Sequence, residues 1–130
     1  MLPIGEVCIF CHDLPKTASF YKDIIGLEEI AIPGLTGERV RMLRAGPVML
    51  GLVRASPDDP PFVVEGHTGI NHFAFFVADI KKVVSDFRKK GVKILEEPHE
   101  IAKGFWGVFM EGPEGVKLQL LEFTGKKPWE

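Results

Sequence analysis

The sequence predicts an α+β fold made of two tandem modules, each ordered strand, helix, strand, strand, strand. Three observations point there. The 130 residues contain an internal repeat, with Asp79 standing 66 positions after Asp13 at the same place in the same pattern. A helical apolar stripe follows each of these aspartates. Fourteen glycines and ten prolines imply the many turns of a sheet-rich chain.

The first strand of each module is an apolar run ending in Asp and an aliphatic residue: EVCIFCHDL over residues 6–14 and HFAFFVADI over residues 72–80. Next comes a helix. Ile80, Val83, Val84 and Phe87 fall at i, i+3, i+4 and i+7. Ala18, Tyr21 and Ile25 do the same in the first module, with Phe20 and Ile24 beside them. Asp13 and Asp79 stand where a side chain can cap the free amides of a helix start. Pro15 suits a first turn. Gly26 and Gly91 suit the residue just past a helix end. The second strands lie in GLEEIAIP (26–33) and GVKILEEP (91–98), which match from Gly to Pro. The stretches around Arg39–Arg44 and Phe105–Glu111 supply third strands. The fourth strands follow Gly46-Pro47 and Gly112-Pro113, and a two-residue insertion in the second turn aligns them. Module 1 covers about residues 1–54 and module 2 about 68–125. The polar, proline-rich stretch 55–67 links them, so the whole chain reads as one domain.

Composition narrows the function classes. Hydrophobic residues make up 45% and charged residues 26%, as in a globular protein. A formal net charge of −2 gives no electrostatic case for nucleic acid or an anionic membrane as partner. No apolar run nears the roughly 20 residues that span a bilayer. No signal-peptide pattern is visible at the N-terminus, so a cytoplasmic location is expected. Two cysteines do not make a disulfide framework.

The landmarks Asp13-Leu14, Phe20-Tyr21 and Gly26-Leu27, then His72, Asp79-Ile80, Gly91-Val92 and Gly112-Pro113-Glu114-Gly115, resemble the signatures of the vicinal oxygen chelate superfamily. That group holds glyoxalase I, bleomycin resistance proteins and extradiol dioxygenases. The resemblance implies two βαβββ modules forming a curled, half-open sheet around a cavity, with metal ligands on the first and last strands of each module. It also implies a homodimer that binds a small organic ligand. The matching positions are Glu6, His72 and Gln119, and the fourth is Gly51, which has no side chain.

Glu6, His72 and Gln119 offer a carboxylate, an imidazole and an amide oxygen. Together they form a candidate site for a divalent metal ion, Ni, Zn, Mn, Fe or Co. The competing reading makes them a buried, hydrogen-bonded cluster in a metal-free cavity. With a metal, Glu6 is the candidate catalytic base. Gln119 cannot take a proton, so two-base chemistry is disfavoured. The first functional expectation is a lyase or isomerase of glyoxalase type. The alternative is a metal-free binding or sequestration protein of bleomycin-resistance type. A ring-cleaving dioxygenase ranks third, because its two histidines and one carboxylate do not stand at these positions.

Cys8 and Phe10 share a strand face with Glu6 and are expected to line the cavity; Cys11 faces away. The C-x-x-C-H pattern at 8–12 sits in a strand and reads as core packing, not haem attachment. Phe105 and Trp106, beside Lys103, are candidate cavity residues in a loop-like segment over its mouth. The competing reading packs both rings in a core or interface. His67 and His99 are expected in loops. Arg39, Arg41 and Arg44 read as a solvated strand face that could also hold an anion. Phe73 and Phe75, alternating with His72, are expected between sheet and helix.

Overall fold

A computed structural model describes all residues, Met1–Glu130. The chain divides into two compact units, Met1–Pro61 and Phe62–Glu130. The break falls inside the polar, proline-rich stretch.

In the first unit β1 (Glu6–Cys11) is followed by α1 (Leu14–Ser19), β2 (Glu28–Ile30), β3 (Val40–Ala45) and β4 (Val48–Arg54). The helix continues past Ser19 as a wider π-helical stretch, Phe20–Ile25. The sheet order is β1-β4-β3-β2. β1 runs parallel to β4, while the other pairs are antiparallel. Asp13 starts the helix by accepting from the Lys16 amide at 3.0 Å. Gly26 ends it at φ +92°, a conformation that costs a residue with a Cβ more than glycine. Leu14, Ala18 and Tyr21 of the helix are buried, as are Leu43, Leu50 and Leu52 of the sheet.

The second unit repeats this plan: β5 (Phe73–Phe76), α2 (Ile80–Lys89), β6 (Lys93–Ile94), β7 (His99–Ala102), β8 (Phe105–Glu111) and β9 (Lys117–Phe123). Its order is β5-β9-β8-β6, with β7 also on β8. β5 is parallel to β9. Asp79 caps α2 through the Lys82 amide at 3.2 Å, and Gly91 follows at φ +83°. Ile80, Val84 and Phe87 are buried with Val108, Met110, Leu118 and Leu120. One face of each sheet therefore packs on its helix, and the other stays open.

Two expectations change. His99 does not lie in a loop. It opens β7, which pairs with β8 across a hairpin turn at Lys103-Gly104. Backbone pairing thus takes the segment before Phe105 into the sheet. The aligned shift also grows in two steps. Leu43 pairs with Leu50 as Met110 pairs with Leu118. Only one of the two extra residues therefore sits in the last turn, where Pro113–Gly115 form a short 3-10 turn.

Candidate functional site

The parallel pairing of first and last strands fixes which side chains share the open face. In the second unit Ala74 pairs with Gln119 and Phe109 pairs with Gln119 from the other side. Alternation adds His72, two positions before Ala74. The His72 ring stands edge-on to Phe109, with centroids 4.8 Å apart. Its Nδ1 lies 2.9 Å from the Asn71 side-chain oxygen. An amide oxygen only accepts, so Nδ1 carries the proton and Nε2 keeps its lone pair when the ring is neutral. Gln119 is only 8% exposed. The glycine at 107 makes room for its amide: a Cβ there would lie 3.2 Å from Nε2 of Gln119 and 2.5 Å from the Ile101 methyl.

The first unit holds the equivalent positions with other chemistry. Cys8 pairs with Gly51, which pairs with Met42. Glu6, Cys8 and Phe10 alternate as exposed residues on one face of β1. The Glu6 carboxylate bends over Gly51, where its Oε2 lies 2.6 Å from the position a Cβ would take. The missing side chain at 51 is therefore the space that receives Glu6. Partial desolvation of the sulfur, then the neighbouring Glu6 charge, push the Cys8 thiol above its ordinary range.

Phe105 and Trp106 part company. Phe105 pairs with Phe123 on the open face, where the rings stack at 4.4 Å. Trp106 lies on the helix face, with the Lys81 ammonium of α2 5.2 Å from its ring centre. Trp106 thus leaves the face that carries His72 and Gln119. Phe73 and Phe75 pair with the buried Leu118 and Leu120 on the helix side. Two arginines are engaged: Arg41 holds Glu29 through two hydrogen bonds of 2.7 and 2.8 Å, and Arg44 holds Glu28 at 2.9 Å. His12 bonds the Asp59 carbonyl and His67 bonds two loop carbonyls. A groove of about 400 Å³ lies on the helix side, between α2 and Glu97-Pro98. It holds none of the candidate residues.

No three His, Cys, Asp or Glu side chains converge in a metal-binding group. The candidates offer one imidazole from His72 and one amide oxygen from Gln119 on the second unit's open face, and one carboxylate from Glu6 on the first unit's. That donor set suits a divalent ion of borderline hardness, although it neutralises only one of the two charges. Sequence reasoning missed Glu122. Its carboxylate accepts from the Ile80 amide at 2.8 Å, closing the start of α2 from β9.

The model of the Glyoxalase/Bleomycin resistance protein/Dioxygenase superfamily matches residues 4–120. The chain belongs to this superfamily. A Synechocystis relative named "Probable lactoylglutathione lyase" is 28% identical over 127 residues, covering 88% of this chain and 91% of its own. The crystal structure of a lactoylglutathione lyase from Agrobacterium tumefaciens superposes with a TM-score of 0.67 at 25% identity, over 94% of both chains. A superfamily member from Sphaerobacter thermophilus gives 0.73 at 17% identity, over 94% of this chain and 98% of its own. At that identity it speaks for the fold alone.

Proposed function

We propose that this superfamily member is a lyase or isomerase of glyoxalase type acting on a small organic substrate. Glu6, His72 and Gln119 are the proposed ligands of a divalent ion, and Glu6 is the proposed base. The observation that carries the reading is the second unit's open face. There His72 presents an Nε2 lone pair, fixed by Asn71, on the same side as the enclosed amide of Gln119. The lyase names of relatives support the same reading. A bound divalent ion would polarise adjacent substrate oxygens and make the neighbouring C–H more acidic. The Glu6 carboxylate takes that proton and returns it to the adjacent carbon. Gln119 orients without titrating, so one carboxylate serves both transfers. Cys8, Phe10 and Phe105 are the proposed ligand-facing neighbours.

A second reading, metal-free binding or sequestration as in bleomycin resistance, is favoured by the donor set, which brings a single carboxylate. One experiment separates the two. The protein is loaded with Ni, Zn, Mn, Fe or Co, its metal content is measured, and formation of lactoylglutathione is assayed. The lyase reading expects about one ion per chain, lost in Glu6→Ala and His72→Ala. It also expects turnover reduced about 100-fold or more in Glu6→Gln. Protein that takes up no ion from any of the five metals would leave the binding reading in its place.

A further inference from the structure

The open face of the second sheet ends in a cluster of aromatic rings, of which only Phe105 enters the lyase reading. Phe105 stacks on Phe123 at 4.4 Å with the planes 17° apart. Phe123 meets Trp129 edge-on at 5.7 Å. Phe76 lies 6.1 Å from Phe123 and 6.2 Å from Trp129. The Lys127 ammonium stands 4.8 Å over the Phe76 ring. Phe76 is 54% and Trp129 67% exposed, while Phe105 and Phe123 are half-buried beneath them, so four rings gather in one place with two open to water. An apolar patch of this kind marks a binding surface more often than an isolated exposed residue does.

The patch is continuous with the face that carries His72 and Gln119. Strand alternation puts Gln119, Leu121 and Phe123 on one side of β9, and His72, Ala74 and Phe76 on one side of β5. Gln119 and Phe123 are four residues apart, about 13 Å along the strand. The floor between them is apolar: Leu121 stands there between Phe76 and Gly107, and the Ile101 and Leu121 side chains cover the glycine. A polar end and an aromatic end thus share one face, with an apolar floor between them.

We propose that Phe76, Phe105, Phe123 and Trp129 form a subsite for a planar aromatic ring of the ligand. The inference rests on the reading that the ligand lies on this open face. Ring faces and edges are both presented: the Phe105–Phe123 stack offers a face, and Trp129 offers a wall at right angles to Phe123. A flat ring gains from offset stacking and edge contacts beyond its burial, whereas a saturated ring of equal size gains only burial. Trp129 lies in the last turn of the chain, held by the Lys127 amide on the Glu130 carboxylate.

The chain has two tryptophans, so its NMR spectrum has two indole N–H signals, and Trp106→Phe assigns them. The full-length protein is titrated with 2-naphthoate and with the saturated decahydro-2-naphthoate. The expected result is a saturable shift of the Trp129 indole signal, with Trp106 unmoved. The saturated acid should bind about fivefold or more weakly. Phe76→Ala and Phe123→Leu should each weaken naphthoate about fivefold or more. A static Trp129 signal or equal affinity for the two acids overturns the proposal. So does a Trp129 signal that moves with protein concentration alone and is insensitive to naphthoate, which would assign the patch to a second copy of the chain. Neither metal nor turnover enters this readout. A shift without lyase activity therefore faults only the lyase reading, and activity with a static Trp129 signal faults only the aromatic subsite.

Discussion

Cys8 and Glu6 share one face of β1, and that proximity has a measurable consequence. Partial desolvation and the Glu6 charge raise the Cys8 thiol, so less thiolate is present at neutral pH than for an ordinary cysteine. Glu6→Gln removes the second cause and lowers that pKa. Alkylation by iodoacetamide at pH 8 should then run faster, and the label should appear on Cys8 because Cys11 is buried. An unchanged or slower rate would contradict the geometry. Glu29 shows the opposite sign. The Arg41 hydrogen bonds hold its carboxyl below the usual 4.5. Its contribution is present above that value and is lost as pH falls through the lower folded pKa. A double-mutant cycle of Glu29→Gln and Arg41→Met should give a coupling of about 1 kcal/mol at pH 7. Repeated below pH 4, chemical denaturation should show the coupling shrinking. At this scale the sequence was partly legible. Glu6 and His72 could be aligned by counting back from the two aspartates. The use of the empty space at Gly51 could not, because it depends on how the Glu6 side chain folds over the neighbouring strand.

Helix starts and strand faces belong to the next scale up. The Asp13 and Asp79 caps and the stops at Gly26 and Gly91 were readable because each depends on a few consecutive residues. Glu122 was not, since it reaches the start of α2 from a strand 42 positions away in sequence. Helix α2 is thus capped twice, by Asp79 and by Glu122. Asp79→Ala should cost about 1 kcal/mol in thermal or chemical unfolding, and Asp79→Asn should restore most of it. A loss in both variants alike would locate the effect outside the cap. Trp106 illustrates the limit of patterning in β8. Phe105, Gly107 and Phe109 alternate with Trp106, Val108 and Met110. Both sets are largely apolar, so composition does not say which faces the helix. Pairing with Leu118 and Leu120 does.

At the scale of the whole molecule the two units carry the same framework with different open-face chemistry. Ile4 and Ile70 stand at equivalent positions just before the two first strands, 72% and 75% exposed. The homodimer proposed from the resemblance gives such surface a place to be covered. Sedimentation equilibrium should report twice 14.5 kDa, and Ile4→Glu should shift the protein towards the single-chain mass. A monomer at all concentrations would withdraw the dimer. No helix is long and apolar enough to cross a membrane.

The repeat, the α+β order of each module, both helix caps and the superfamily could be read from the linear chain. These follow from periodicity and short-range chemistry, which survive in a linear string. The sequence also marked the unequal positions Glu6 against His72 and Gly51 against Gln119. The tertiary structure alone decided that residues 99–102 form a strand, that Trp106 faces the helix, that Glu122 closes α2 and that four rings meet at the end of β9. Those outcomes depend on strand register and on side chains distant in sequence. A shift of one residue in register would turn every one of those faces over.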